Sequence, residues 1–259
     1  MNMNMNIKNI LNSLFVCTFF LTLFACQTTK NVSNTQSKYK VGENRVNIVS
    51  GKFLQSYNDV ISNKVPERKI IIGKLYLPKI CSSEKMPAVI IQHGSGHPKK
   101  AWYKKLSKAL NKNDIIALVP DSMTSRGITE TSRDQSKLSK ATRLYDTFSA
   151  FRFLQKIECV DPSRVGITGY SFGGIIARDS VEKVLADKLG NGFVYKASLP
   201  VYPSCQANFK NTSPTSTKVH LLLAGLDDYT PASYCIEDSK IKKSKGWNLD
   251  LTVFEGAHH

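Results

Sequence analysis

The sequence predicts an α/β fold with a mainly parallel central sheet and helices on both faces. Short apolar runs, such as 89–91 and 219–223, alternate with longer segments whose apolar residues recur at helical spacing. This alternation is typical of parallel sheets, because each parallel crossover needs a covering helix. The 259 residues are 41% hydrophobic, which suffices for one sizeable core, and the sequence shows neither an internal repeat nor a second domain.

The predicted elements begin after a polar amino-terminal stretch. Strands are expected at 70–78, 86–92, 115–119, 164–168, 197–201, 219–223 and 249–254. Helices are expected at 102–110, at 138–154 and at 176–189, where apolar residues fall on one face. The second helix should stop before Asp161-Pro162, because proline cannot continue it.

The most specific stretch is Gly169-Tyr170-Ser171-Phe172-Gly173, which follows an apolar strand and precedes a helical pattern. Gly-x-Ser-x-Gly between a strand and a helix is typical of the nucleophile elbow of α/β-hydrolases. The serine on such a sharp turn adopts strained dihedral angles, and the flanking glycines avoid side-chain collisions. The alternative is a glycine-rich turn in another α/β protein, but the strand and helix around Ser171 favour the elbow.

A serine nucleophile needs an imidazole to accept its proton and a carboxylate to orient that imidazole. In α/β-hydrolases these residues occur in the order serine, acid, histidine. Of the five histidines, His93 and His97 precede the serine and His220 opens an apolar strand. His258 and His259 are therefore the candidates.

The acid should lie on the loop after a strand, between the serine and these histidines. Asp227 and Asp228 stand at the exit of the strand at 219–223. Asp250 and Glu255 flank the last strand and rank behind them. Five further acids fall in helix-like segments, where we expect a solvated surface: Asp179, Glu182, Asp187, Glu237 and Asp238.

An oxyanion hole requires two backbone N–H groups directed at the carbonyl oxygen of the substrate. We assign one to Phe172, directly after the nucleophile, and one to Ser95, on the glycine-containing loop after the strand at 86–92. His93 and His97 lack carboxylate or cysteine companions at ligand spacing. We therefore expect structural roles for them, no metal and no cofactor.

The formal net charge of +16 could suit nucleic acid or an anionic surface. However, the lysines are scattered, and the sequence contains no zinc-finger or other nucleic-acid motif. We expect a solvated lysine-rich surface and no nucleic-acid partner.

The amino terminus predicts an export signal, with the cation Lys8 followed by an apolar run over 10–25. Leu23-Phe24-Ala25-Cys26 resembles a bacterial lipobox, which implies cleavage before Cys26 and attachment of lipid to its sulfur. We expect a signal peptide at 1–25, a flexible tether at 26–45 and the hydrolase domain at 46–259, lipid-anchored at the cell envelope on the periplasmic or cell-surface side. The alternatives are an ordinary secretory signal or an uncleaved anchor, and both also export the protein.

Taken together, residues 70–259 resemble the dienelactone hydrolase family of α/β-hydrolases. The resemblance lies in the stretches 87–94, 119–127, 160–166 running into the elbow, 227–231 and 256–259. It implies that Asp227, four residues before Pro231, is the acid and that His259 is the histidine. The best-known members of the family have a cysteine nucleophile, whereas this chain has serine. The resemblance therefore implies hydrolysis of carboxylic esters but not the lactone substrate of the family name.

Four cysteines remain beyond the signal and the lipidation site, an even number that allows three pairings. Tyr202-Pro203-Ser204-Cys205 resembles a family segment that faces the cysteine shortly after Thr-Pro, which implies a Cys205–Cys235 disulfide. Cys81 and Cys159 are then either a second disulfide or two buried thiols.

The predicted function is that of a lipid-anchored serine hydrolase that forms an acyl-enzyme on Ser171 and releases it with water activated by His259. Its expected partner is a small-molecule ester, although a peptidase or an acyltransferase would use the same residues. The rival hypothesis is a catalytically weak or inactive α/β-hydrolase that serves as a surface binding module.

Similar proteins continue past the catalytic histidine, commonly into a helix that packs on the sheet, whereas this sequence ends at His259. A terminal imidazole shares its residue with an α-carboxylate, which favours the charged ring and weakens a general base. We expect either that the sequence is a truncation of a longer protein, or that this form is a weak hydrolase that gains activity when residues are appended.

Overall fold

The computed structural model describes residues 38–259. Within this range the strands are β1 Gly42–Gly51, β2 Arg68–Leu77, β3 Met86–Gln92, β4 Ile116–Asp121, β5 Val160–Tyr170, β6 Ala197–Val201, β7 Lys218–Ala224 and β8 Leu249–Phe254. The α-helices are α1 Tyr57–Ile61, α2 Ala101–Asn111, α3 Lys140–Leu154, α4 Phe172–Asp179, α5 Lys183–Leu189 and α6 Ala232–Ser244. Two 3₁₀ helices, Thr124–Arg126 and Gln135–Lys137, lie between β4 and α3.

The predictions for the signal peptide, for Cys26 and for most of the tether lie outside the described residues. The first strand begins at Gly42, before the predicted start of the domain at Val46. Among residues 38–259, no helix combines the length and the apolar character needed to cross a membrane.

The eight strands form one sheet in the order β1-β2-β4-β3-β5-β6-β7-β8. Strand β2 is antiparallel to both β1 and β4, and the other neighbouring pairs are parallel. The predicted mainly parallel sheet is confirmed. The chain runs outward from β3 to β4 and then crosses back to β5, so the strand order reverses between β3 and β5. In open α/β sheets ligands bind at the carboxyl ends of the strands at such a reversal.

Both faces of the sheet carry helices, as predicted. On one face Tyr76, Ile91 and Val119 pack with α2. The opposite face supplies the larger core, in which residues such as Leu75 and Ile90 pack with the remaining helices. Neighbouring residues along each strand thus enter different cores, because successive side chains point to opposite faces.

The helix predicted over 176–189 is in fact two helices, α4 and α5, separated by residues 180–182. The break brings Glu182 into the interior, where its carboxylate accepts hydrogen bonds from Thr212 and pairs with Lys242 at 3.0 Å. Apolar periodicity continues through the break and therefore does not reveal it.

The prediction that Asp179, Glu182 and Asp238 lie on the solvated surface is wrong, because all three are buried. Asp179 accepts hydrogen bonds from Tyr57 and Arg178, and Lys242 approaches both Glu182 and Asp238. Tyr57, which binds Asp179, and Lys242, which binds Glu182, come from distant parts of the chain, so helical spacing gives no sign of the burial of these acids. Asp187 and Glu237 are exposed, as expected.

Two disulfides join elements within the described range. Cys205–Cys235 links the loop after β6 to α6 and is the pair that the family resemblance implied. Cys81–Cys159 links the loop after β2 to the residue before β5, so these cysteines form a second disulfide.

Candidate active site

Ser171 lies at a sharp turn between β5 and α4 and has a positive φ, with φ 55° and ψ −119°, which a residue with a side chain rarely adopts. The residues two before and two after Ser171 are glycines, because a side chain at either position would collide with the backbone. A Cβ at Gly169 would lie 2.2 Å from the carbonyl oxygen of Gly173, and a Cβ at Gly173 would lie 2.2 Å from that of Gln92. The sequence motif therefore forms the strained turn that it predicted.

The three residues that the sequence singled out lie in one hydrogen-bonded row. His259 Nε2 is 2.8 Å from Ser171 Oγ, and His259 Nδ1 is 2.8 Å from Asp227 Oδ2. The Asp227 side chain is fully buried, whereas that of His259 is 26% exposed. The imidazole therefore lies between a buried carboxylate and an accessible hydroxyl.

Hydrogen bonds between the loops after β7 and β8 bring this row together. Gly225 and Leu226 donate backbone hydrogen bonds to Phe254 and Ala257. A Cβ at Gly225 would lie 2.8 Å from Glu255 Cα, so glycine permits this close approach. The two loops consequently hold Asp227 beside His259.

The Asp227 carboxylate accepts four hydrogen bonds. Backbone N–H groups of Tyr229 and Thr230 donate to Oδ1, and the Thr230 hydroxyl and the imidazole bond to Oδ2. Desolvation by burial raises the pKa of Asp227, but the hydrogen bonds from Thr230 and His259 outweigh it, so the pKa lies below its ordinary value. Asp227 is therefore ionised near neutral pH.

The neighbouring alternatives lie apart from this row. Asp228 and His258 are exposed, and neither makes a hydrogen bond within the part of the chain that the structure describes. His93 is buried, where its Nε2 accepts a hydrogen bond from the Ser122 N–H. Burial lowers the pKa of His93 to about 3, so it is neutral and structural.

Of the two predicted oxyanion residues, Phe172 directly follows the serine, and Ser95 lines the same cavity as Ser171. Phe172 is the first residue of α4, where N–H groups lack partners within the helix. The amide of Ser95 donates to no acceptor among residues 38–259. The loop that carries Ser95 lies close to the elbow. A Cβ added at Gly94 would be 3.1 Å from the Tyr170 carbonyl oxygen and 3.8 Å from Ser171 Cβ.

A cavity of about 400 Å³ opens over Ser171. It is lined by Gly94, Ser95, Gly96, Lys100, Trp102, Tyr103, Ser132, Tyr170, Ser171, Tyr202, Tyr229 and His259. The rings of Tyr202 and Tyr229 pack on His259 with centroids 4.7 and 5.1 Å away, and Trp102 packs on Tyr170 at 4.2 Å. Sequence reasoning missed this aromatic wall, although Tyr170 and Tyr229 adjoin its motifs. Within the described residues, no group of histidine, cysteine and acidic side chains is arranged to hold a metal ion.

The strand order, together with a serine, an imidazole and a carboxylate at the carboxyl edge of the sheet, defines an α/β-hydrolase. The model of the dienelactone hydrolase family matches residues 73–259. The chain belongs to the dienelactone hydrolase family, and its serine at the elbow makes it a serine carboxylic-ester hydrolase. Family membership and the geometry of the site do not favour the alternative of an inactive binding module.

Similar solved structures share this fold at low sequence identity. A candidate dienelactone hydrolase from Klebsiella pneumoniae has a TM-score of 0.59 and 14% identity, covering 83% of this chain and 88% of that one. Thermogutta terrifontis esterase 2 phosphoramylated by tabun has a TM-score of 0.58 and 18% identity, covering 73% and 79%. The same esterase phosphorylated by paraoxon has a TM-score of 0.57 and 18% identity, covering 73% and 78%. A comparison with curated proteins found no match.

Proposed function

We propose that Ser171 is the nucleophile, His259 the general base and Asp227 the acid of an esterase that works through an acyl-enzyme. The observation that carries this proposal is the pair of 2.8 Å contacts that join Ser171, His259 and Asp227. This arrangement activates a serine hydroxyl without a cofactor.

In the first half-reaction, Ser171 Oγ attacks the ester carbonyl carbon while His259 Nε2 takes the hydroxyl proton. The carbonyl oxygen becomes an oxyanion that the N–H groups of Ser95 and Phe172 stabilise. The bond to the alcohol oxygen then breaks, and His259 returns the proton to the leaving alcohol. Asp227 holds the imidazole in the required tautomer and stabilises its charged form.

In the second half-reaction, water attacks the acyl carbonyl carbon and gives a proton to His259. The bond between the acyl group and Ser171 Oγ breaks, the carboxylic acid leaves, and the proton returns to the serine. The cavity of about 400 Å³ supports a small-molecule ester as the substrate.

The Ser171→Ala variant tests the proposal. Hydrolysis of p-nitrophenyl esters of graded acyl length should fall about ten-thousandfold or more, because loss of the nucleophile leaves only binding and the oxyanion hole. Circular dichroism should show an unchanged fold. Ser163→Ala is the control, because Ser163 is exposed near the start of the same strand, where it binds Asp161, and this variant should retain the wild-type rate. Undiminished turnover by folded Ser171→Ala would refute the assignment.

We also propose that the esterase is exported and anchored to the cell envelope through lipid on Cys26. The motif Leu23-Phe24-Ala25-Cys26 supports the anchor. The disulfides Cys81–Cys159 and Cys205–Cys235 support an oxidising compartment, because such bonds are rare in the cytosol.

Paraoxon phosphorylates the Thermogutta esterase. If Ser171 is the nucleophile, as proposed above, paraoxon should also label Ser171.

A further inference from the structure

Arg143, on α3, is a buried cation directly behind the loop that carries Ser95. Its side chain is 0% exposed. Nη1 donates to the carbonyl oxygens of His93 and Gly94, both at 3.1 Å, and Nη2 donates to Thr131 Oγ1 at 3.1 Å. Its guanidinium carbon lies 4.2 Å from the centre of the Phe172 ring.

A buried arginine ordinarily pairs with a carboxylate, because burial of an unpaired charge is costly. Two others in this protein do so: Arg126 lies 2.8 Å from Asp146, and Arg178 lies 2.7 Å from Asp179. Arg143 forms no ion pair within residues 38–259, and its Nε has no hydrogen-bond partner there. Desolvation by burial lowers the pKa of Arg143 to about 9, which leaves it charged near neutral pH.

The hydrogen bond from Arg143 to the Gly94 carbonyl determines the direction of the Ser95 N–H. The Gly94 carbonyl and the Ser95 N–H belong to one planar trans amide, in which the two bonds point in opposite directions. The hydrogen bond from Arg143 to this carbonyl therefore turns the N–H away from the guanidinium. It also polarises the amide, which makes its N–H a stronger donor.

Other contacts fix the same loop. Tyr103 OH accepts a hydrogen bond from the Gly94 N–H at 2.8 Å, and the Thr131 N–H donates to the Ser95 carbonyl at 2.7 Å. The Phe172 ring, which lies against Arg143, belongs to the residue that supplies the second N–H group.

We infer that Arg143 is a positioning residue that fixes both N–H donors of the oxyanion hole and adds positive potential behind them. This inference rests on the proposed function. The hole binds charge that develops only in the transition state, so loss of Arg143 should lower kcat and leave KM close to wild type.

The test compares Arg143→Met with Arg178→Met, at a temperature where circular dichroism shows both variants folded. Arg178 is equally enclosed and also binds backbone carbonyls, but it lies outside the cavity. Arg143→Met should lower kcat about a hundredfold, as loss of an oxyanion donor does, whereas Arg178→Met should lose stability alone. Arg143→Lys, which keeps the charge but not the planar fork, should recover part of the rate. A folded Arg143→Met enzyme that keeps the wild-type kcat would overturn the inference, whether its KM is unchanged or raised.

A second variant decides the matter if Arg143→Met does not fold. Thr131→Val removes the hydroxyl that accepts from Arg143 and donates to the Ser95 carbonyl, while leaving the buried charge in place. Because both bonds hold the Ser95 loop, it should lower kcat about tenfold with KM unchanged. A wild-type kcat for Thr131→Val in that case would overturn the inference.

Paraoxon labelling separates the inference about Arg143 from the proposed function. A wild-type enzyme that paraoxon does not label contradicts the proposed function. Equal labelling rates for wild type and folded Arg143→Met contradict only the role of Arg143.

Discussion

Asp227 and Asp228 are adjacent carboxylates with opposite surroundings. Asp227 is buried and accepts hydrogen bonds from Tyr229, Thr230 and His259. Asp228 is exposed on the outside of the same turn. Of these two consecutive residues, only Asp227 can orient the imidazole, whereas Asp228 faces solvent.

We predict that Asp227→Asn lowers kcat about ten-thousandfold, whereas Asp228→Asn stays close to wild type. Asparagine keeps the size of the side chain, but it no longer holds the imidazole in the tautomer that accepts the serine proton. Steady-state kinetics on one p-nitrophenyl ester compares the two variants directly. The reverse ranking would assign the role to Asp228.

Motif chemistry is local, and for this reason Ser171, Phe172 and Ser95 could be located from the sequence. His259 and Asp227 followed from chain order and from the family resemblance. The burial of Arg143 could not be predicted, because its acceptors on the Ser95 loop and at Thr131 become neighbours only in the folded chain. Tyr202 likewise reaches His259 only through tertiary packing.

Loops, rather than helices or strands, supply most of the site, and the Cys205–Cys235 disulfide joins two of the elements around it. Cys205 follows Tyr202, whose ring packs on His259. Cys235 lies in α6, directly after the loop that carries Asp227. The disulfide therefore ties one wall of the cavity to the helix behind the acid.

We predict that the double variant Cys205→Ser, Cys235→Ser is about 2–4 kcal/mol less stable to denaturant than the wild type, because the unfolded chain is no longer constrained. Urea unfolding measures this difference. Mass spectrometry of a non-reduced digest should first show the two peptides joined. Free thiols at both positions in the wild type would contradict the prediction.

At the element scale, periodicity located the strands from β2 to β8 and the helices α2 and α3. It missed β1 and α1, and it gave no bounds for α6, although Glu237 and Asp238 were expected in a helix-like segment. It also joined α4 to α5, because an apolar pattern does not show where a buried acid such as Glu182 requires the chain to leave the helix. The ion pair between Glu182 and Lys242 lies at this boundary, and it connects two segments that are distant along the chain.

At the scale of the whole molecule, the fold places the site where the strand order reverses. Ser95 follows β3 and Ser171 follows β5, the two strands on either side of the reversal. The alternation of strands and helices predicted a parallel sheet, but not the neighbours of each strand. Strand order depends on crossovers, which hydrophobic patterns do not encode.

We predict that Cys26→Ser moves the whole protein from the membrane fraction to the soluble exported fraction. Without lipid on Cys26, the tether contains no other apolar segment to hold it. Fractionation followed by immunoblotting measures the shift, and Ser33→Ala in the same tether should leave the protein in the membrane fraction. Unchanged membrane retention of Cys26→Ser would indicate an uncleaved anchor.

The central claim is that the row Asp227–His259–Ser171 activates one serine. Intact mass measurement after treatment with paraoxon, followed by peptide mapping, tests it most directly. We predict one diethylphosphoryl group per chain on the peptide that contains Ser171, none on Ser171→Ala, and much slower labelling of Asp227→Asn. A label on another residue, or equal labelling of Ser171→Ala, would contradict the account.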